Sequence, residues 1–260
     1  MSTSIVNRLS VILAGFEFIP LSVSYHGGGD LHWHAVPVCV YLLDTDLGPI
    51  LIEGGLDERK LRDPKLRAKY FPQRDGFPTP LVGPQHEIIP QLAKMGYVPE
   101  QFEHLILTHL HADHTGHTPS FPNATVYVQE EELQSSKGKT PKQGYVSSDY
   151  LDVPNERLKL THGDERIFPG IESVFTPGHT DGHQSVLITL KDERKFLLVG
   201  DVVDDRTNME NDILPGGMTD PQLARQSMDR IREIMDSGVT GIFLHDAQQV
   251  REIPLAPEWL

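Results

Sequence analysis

The stretch Leu107-Thr108-His109-Leu110-His111-Ala112-Asp113-His114-Thr115-Gly116-His117 constrains the chain more than any other. Four potential metal ligands fall within six residues, directly after the apolar run Leu105-Ile106-Leu107. That run has the length and character of a buried strand, and Thr108 marks where the chain leaves the sheet. The ligands therefore sit on a loop at a strand's end. Residues two apart in an extended segment point the same way, so His109 and His111 can reach one ion together. Asp113 and His114 fall where the chain turns into a helix and can swing toward a second ion. Imidazole nitrogen and carboxylate oxygen suit zinc first, with iron, manganese and cobalt also possible, and nothing here requires a thiolate.

Three later apolar runs each end in a further ligand. Ile171 to Phe175 leads to Thr176-Pro177-Gly178-His179, Phe196 to Val199 leads to Gly200-Asp201, and Ile242 to Leu244 leads to His245. Strand ends that all deliver a His or Asp are how a layered fold converges ligands on one edge of its sheets. The expected site holds two divalent ions. His109, His111 and His179 take one, Asp113, His114 and His245 take the other, and Asp201 bridges both.

This pattern, His-x-His-x-Asp-His followed by Thr-Pro-Gly-His, Gly-Asp and a late His, resembles the metallo-β-lactamase superfamily. The resemblance implies an α+β fold, a four-layer αββα sandwich with a dinuclear site at the edge between the sheets. Tyr41-Leu42-Leu43 with Gly48-Pro49-Ile50-Leu51-Ile52, then Gly96-Tyr97, and Gly182-His183-Gln184-Ser185 are similar to the N-acyl homoserine lactonase branch over nearly the whole chain. That branch implies hydrolysis of a small-molecule lactone to a ring-opened hydroxy acid. Attack is expected from a hydroxide bridging the ions, with Asp113 and Asp201 as the catalytic carboxylates. The lactonases commonly carry a Tyr three residues after the bridging Asp, where this chain has Asp204, and an Asp-x-Gly where this chain has Glu53-Gly54-Gly55. A carboxylate at 204 cannot donate the hydrogen bond of a phenol unless it is protonated.

Alternatives share parts of this ligand set. A glyoxalase-II-like thioesterase implies a further C-terminal helical region, whereas fifteen residues follow His245. A hydrolase of another small lactone would differ mainly in its pocket. β-Lactamases generally lack a His at the position of His114. A mononuclear iron dioxygenase would keep one ion, and a non-catalytic metal-binding protein would open no ester. No Gly-x-Ser-x-Gly elbow points to a Ser nucleophile.

The formal net charge is 23 − 37 = −14, which opposes a surface built to neutralise phosphates, so no nucleic-acid partner is expected. Cys39 is the only cysteine, which excludes an intrachain disulfide and fits a packed thiol in a reducing, cytoplasmic setting. The apolar segment Leu9 to Phe16 is followed at once by Glu17 and is expected to be a first strand rather than a signal peptide, and no stretch has the length of a membrane span. With no linker, repeat or low-complexity tract, residues 1–260 are expected to form one domain, acting as a monomer or homodimer.

Val36 to Asp44 and Pro49 to Glu53 are expected to form a hairpin, Glu87 to Met95 a helix, Thr125 to Gln129 a strand and Glu130 to Ser136 a short helix. In the segment 220–237, Leu223, Met228, Ile231, Ile234 and Met235 recur at helical spacing. His32 and His34 mimic ligand spacing, but no strand delivers them, and they are expected to be ordinary loop residues beside Trp33, itself a candidate for the substrate mouth. Residues 56–85 carry six cationic side chains within eleven positions, from Arg59 to Lys69. They read as a solvated helix face, or as a lid whose aromatics, Tyr70, Phe71 and Phe77, cover an acyl chain. Tyr145 and Tyr150, in the irregular stretch 137–157, are candidates to replace the Tyr missing near Asp204.

Overall fold

The computed structural model describes residues 4–72 and 78–260, so Phe77 lies outside the described residues. Six strands make the first sheet: β1 (Val6–Pro20), β2 (Trp33–Thr45), β3 (Gly48–Ile52), β4 (His104–Ile106), β5 (Thr125–Gln129) and β6 (Leu158–Thr161), in that spatial order. Five make the second: β7 (Glu165–Phe168), β8 (Ile171–Phe175), β9 (Gln184–Thr189), β10 (Lys195–Leu198) and β11 (Thr240–Ile242), again adjacent in chain order. The pairs from β3 to β6, and β10 with β11, are parallel; the rest are antiparallel.

Strand alternation builds the layers. Along β2, Cys39, Tyr41 and Leu43 point into a core shared with Ile171, Val186, Ile188 and Leu198 of the second sheet. The intervening Val40 and Leu42 point the other way, onto Ile88 and Leu92 of the helix Ile88–Lys94. The second sheet's outer face packs Val174 and Leu197 against Met228 and Ile231 of the helix Pro221–Asp236. Asp220 starts that helix by accepting the Gln222 and Leu223 amides at 2.8 and 3.0 Å. Helix, sheet, sheet and helix are therefore the four layers expected.

Several boundaries differ. The first strand extends well beyond Leu9–Phe16 at both ends because it pairs with β2 along its whole length, from Val6 opposite Thr45 to Pro20 opposite Trp33. The cationic connection forms two short helices, Glu58–Arg62 and Pro64–Tyr70. It is largely the solvated face expected, since Arg59, Arg62, Lys65, Arg67 and Lys69 are all exposed, but Lys60 turns inward to the buried Asp149, and Arg59 and Arg62 pair with Asp57 and Glu87. Among the described residues no helix is long and apolar enough to cross a membrane.

Candidate metal centre

Strand direction converges the ligands. β8, β10 and β11 run the same way, and the residues that follow their C-terminal ends, His179, Asp201 and His245, meet the loop that follows β4. Two groups result. His109, His111, His179 and Asp201 place one ligand atom each within 4.8 Å of one another, and so do Asp113, His114, Asp201 and His245. All seven expected ligands are thus brought together, with Asp201 common to both groups.

In the first group His111 Nδ1 lies 2.9 Å from His109 Nε2 and 3.0 Å from His179 Nε2. Asp201 Oδ2 is 3.7 and 3.6 Å from the same two Nε2 atoms. In the second group His114 Nε2 is 3.1 Å from Asp113 Oδ2 and 3.3 Å from Asp201 Oδ2, and His245 Nε2 is 3.3 Å from Asp201 Oδ2 and 3.8 Å from Asp113 Oδ2. Zinc bonds of about 2.0–2.1 Å put tetrahedral ligand atoms about 3.3–3.4 Å apart, which these separations bracket. Asp201 Oδ1 is buried without a hydrogen-bond partner, as a carboxylate kept for an ion would be. The donor set fits two divalent ions.

The far sides of the rings are anchored, which fixes the edge each presents. His245 Nδ1 donates to Pro37 O at 2.8 Å and His179 Nδ1 to Gly217 O at 2.5 Å. His114 Nδ1 faces Glu53 Oε2 at 3.2 Å, and His109 Nδ1 pairs with Thr108 Oγ1 at 3.1 Å. Burial, and then His179, press His111 down to about 3, so it is neutral, the form that ligates. Burial opposes charge on His114 and His245, yet Asp113, Asp201 and Glu53 hold His114 well above its ordinary value, and Asp201 leads the groups that carry His245 up to about 10. Three carboxylates packed around these rings create a demand for positive charge.

Two supporting residues, His183 and Glu53, lie in motifs visible in the sequence, but their roles were not legible there. His183 is fully buried and its Nε2 accepts the Asp201 amide at 3.0 Å. Gly200 has φ +69°, and a Cβ there would stand 2.4 Å from His183 Nε2, so glycine is required for this approach. Glu53, also buried, has φ 68° and lies at the end of β3, where the motif Glu53-Gly54-Gly55 was visible but its role was not. A third group, Asp57, Glu58 and His117, is internally satisfied: His117 Nε2 pairs with Glu58 at 2.7 Å and Asp57 with Arg59 at 2.9 Å.

The centre opens into a cavity of about 410 Å³, floored by His111, Asp113, His179, Asp201, Asp204 and His245, and walled by Phe18, Ile19, Val23, Tyr70, Phe71 and Met218. That volume suits a small ligand. Tyr70 and Phe71 line it as expected. Tyr145 also lines it, its ring 4.7 Å from that of His111, whereas Tyr150 is buried in the outer core. Trp33, 39% exposed at the start of β2 opposite Pro20, is not among the residues that line this cavity. His34 bonds Ser24 at 2.8 Å and, like His32, joins no metal-ligand group. Burial pushes the Asp204 carboxyl above the usual range.

A family model for the metallo-β-lactamase superfamily matches residues 35–240. The chain belongs to this superfamily. Within the superfamily it is 33% identical over 229 residues to an N-acyl homoserine lactonase of a Bacillus species, covering 86% of this chain and 87% of the relative. It is 27% identical over 237 residues to N-acyl homoserine lactonase AttM of Agrobacterium fabrum, covering 87% and 88%. A solved N-acyl homoserine lactone hydrolase with N-hexanoyl-L-homoserine bound at its catalytic metal centre superposes with TM-score 0.87 at 29% identity, covering 99% of this chain and all of that one. The superfamily fold and the lactonase branch expected from the motifs are both met.

Proposed function

We propose that this protein is a metal-dependent hydrolase that opens the lactone ring of N-acyl homoserine lactones, with residues 1–260 acting as one catalytic domain. The observation that carries the reading is the pair of ligand groups sharing Asp201 at the floor of a cavity with an apolar wall, in a chain whose relatives bear the lactonase name. His109, His111, His179 and Asp201 would hold one ion, and Asp113, His114, Asp201 and His245 the other, with zinc the metal that an all-imidazole and carboxylate donor set suits first. When bound, such a pair supplies an activated water at neutral pH and an electrophile for the ester carbonyl.

The chain's own groups do the rest. Asp113 is part of this floor; it takes the proton released on attack and returns it to the leaving alkoxide, so the lactone C–O bond breaks with a hydroxyl and a carboxylate as products. Asp204 borders the reacting end of the substrate, where the related lactonases commonly have a Tyr. Tyr70 and Phe71, with Phe18 and Ile19, receive the acyl chain and exclude water from it. The single, buried thiol of Cys39 is compatible with a cytoplasmic enzyme.

The test is the initial rate of proton release from N-hexanoyl homoserine lactone before and after chelator treatment, with a glutathione thioester in parallel. Chelator-sensitive lactone opening, restored by zinc, is expected. Thioester turnover without lactone turnover would replace the lactonase reading by the glyoxalase-II-like one.

A further inference from the structure

Among three consecutive glutamates, Glu130, Glu131 and Glu132, only the last is fully buried. It sits on the short helix Glu130–Ser135 that follows β5 and contributes no ligand atom to either metal group. Its carboxylate nevertheless reaches both loops that build the first group. Oε1 accepts the Leu110 amide at 3.0 Å, and Leu110 lies between His109 and His111. Oε2 accepts the Thr180 hydroxyl at 2.5 Å and the Gly182 amide at 3.3 Å, and Thr180 follows His179.

These loops are 70 residues apart in sequence (110 to 180), and each must present imidazoles to within a few tenths of an ångström for both to bind one ion. A buried carboxylate is well suited to tie them, because its two oxygens offer about four acceptor positions and it has no donor to conflict with those that face it, the Leu110 and Gly182 amides and the Thr180 and Tyr145 hydroxyls. The backbone is shaped for this contact. A Cβ at Gly182 would lie 1.9 Å from the Glu132 amide nitrogen, so position 182 admits the helix only as glycine.

We propose that Glu132 is a positioning residue for the metal centre: it clamps the His109/His111 loop to the His179 loop and so sets the affinity of the ion these three histidines share, leaving the ion of His114 and His245 largely unaffected. The inference rests on the metal-centre assignment under Proposed function, but not on the substrate. Glutamine in its place keeps the shape but cannot accept from every backbone donor: its N–H₂ faces either the Leu110 amide or, with the Thr180 hydroxyl turned to accept from it, the Gly182 amide, so the clamp loses one backbone hydrogen bond whichever way it lies.

The experiment is zinc titration of metal-stripped wild type, Glu132→Gln and Thr180→Val against a chromophoric chelator, with thermal melts of the metal-stripped proteins and amide hydrogen exchange at Leu110 and Gly182. Wild type is expected to bind two ions. In Glu132→Gln one affinity falls about 10–100-fold, the range known for hydrogen bonds to metal-binding residues, while the other holds and both amides exchange faster. Thr180→Val, which removes one donor and keeps the fold, gives the same selective loss in weaker form and serves alone if Glu132→Gln does not fold. Equal weakening of both ions in step with a lowered melting temperature, or no change in either affinity, overturns the proposal. Zinc binding is read without turnover, so an absence of lactone opening leaves this result standing.

Discussion

His183 Nε2 accepts the backbone N–H of Asp201 at 3.0 Å, so a buried imidazole outside both ligand groups fixes the main chain of the residue the groups share. Burial, and then His179, hold His183 down to about 3, leaving it neutral, and its Nδ1–H is turned to Thr176 O at 3.0 Å. Replacing it with Ala leaves the Asp201 amide buried and unpaired beside a new cavity. His183→Ala is expected to lose about 2–4 kcal/mol of stability in denaturant titrations of the metal-stripped protein, and to bind both ions more weakly.

The ligands should separate by group. Asp201→Ala is expected to release both ions, because its carboxylate belongs to each group, whereas His111→Ala weakens chiefly the ion of His109 and His179. Metal analysis after gel filtration reads the difference. Activity should fall by more than the about 10–100-fold that loss of an outer hydrogen bond costs, and an Asp201→Ala variant that kept both metal and rate would remove Asp201 from the centre.

Asp149, which belongs to neither ligand group, carries a pH prediction of its own. Burial lifts its carboxyl to about 6 from 3.8, against the pull of Lys60. The folded value lies above the unfolded one, so this group's contribution is fully present below about 4 and is lost as pH rises through 6. Asparagine does not titrate. The stability of Asp149→Asn relative to wild type should therefore increase by about 2–3 kcal/mol between pH 4 and 7, as read by urea unfolding at a series of pH values; a flat or falling difference would contradict the burial argument.

Phe71 lines the cavity wall, where truncation removes apolar contact with an acyl chain but touches no ligand. Phe71→Ala is expected to raise KM for long-chain lactones by about 10-fold relative to short-chain ones, in keeping with about 1.5 kcal/mol of lost burial, at unchanged zinc content. Chain-length series of kcat and KM test this.

The layered fold, and the seven side chains that form the two candidate ligand groups, were legible from the sequence because both rest on short-range patterns. The continuous apolar run Val36 to Leu43 marks a strand buried on both faces, the 3.6-residue recurrence of Met228 and Ile231 states which face of a helix is buried, and apolar runs that each end in His or Asp state where the candidate ligands emerge. What lies around the centre came only with tertiary structure. Glu132 meets Thr180 across 48 positions, and Lys60 meets Asp149 across 89. Nothing local distinguishes Glu132 from the exposed Glu131. Trp33, expected at the substrate mouth from its neighbours in sequence, is not among the residues that line the cavity, whereas Phe18 and Ile19 on the strand paired with it are. A side chain's direction follows from its own strand or helix, but its partners depend on which distant segment packs against it, and only the assembled sandwich decides that.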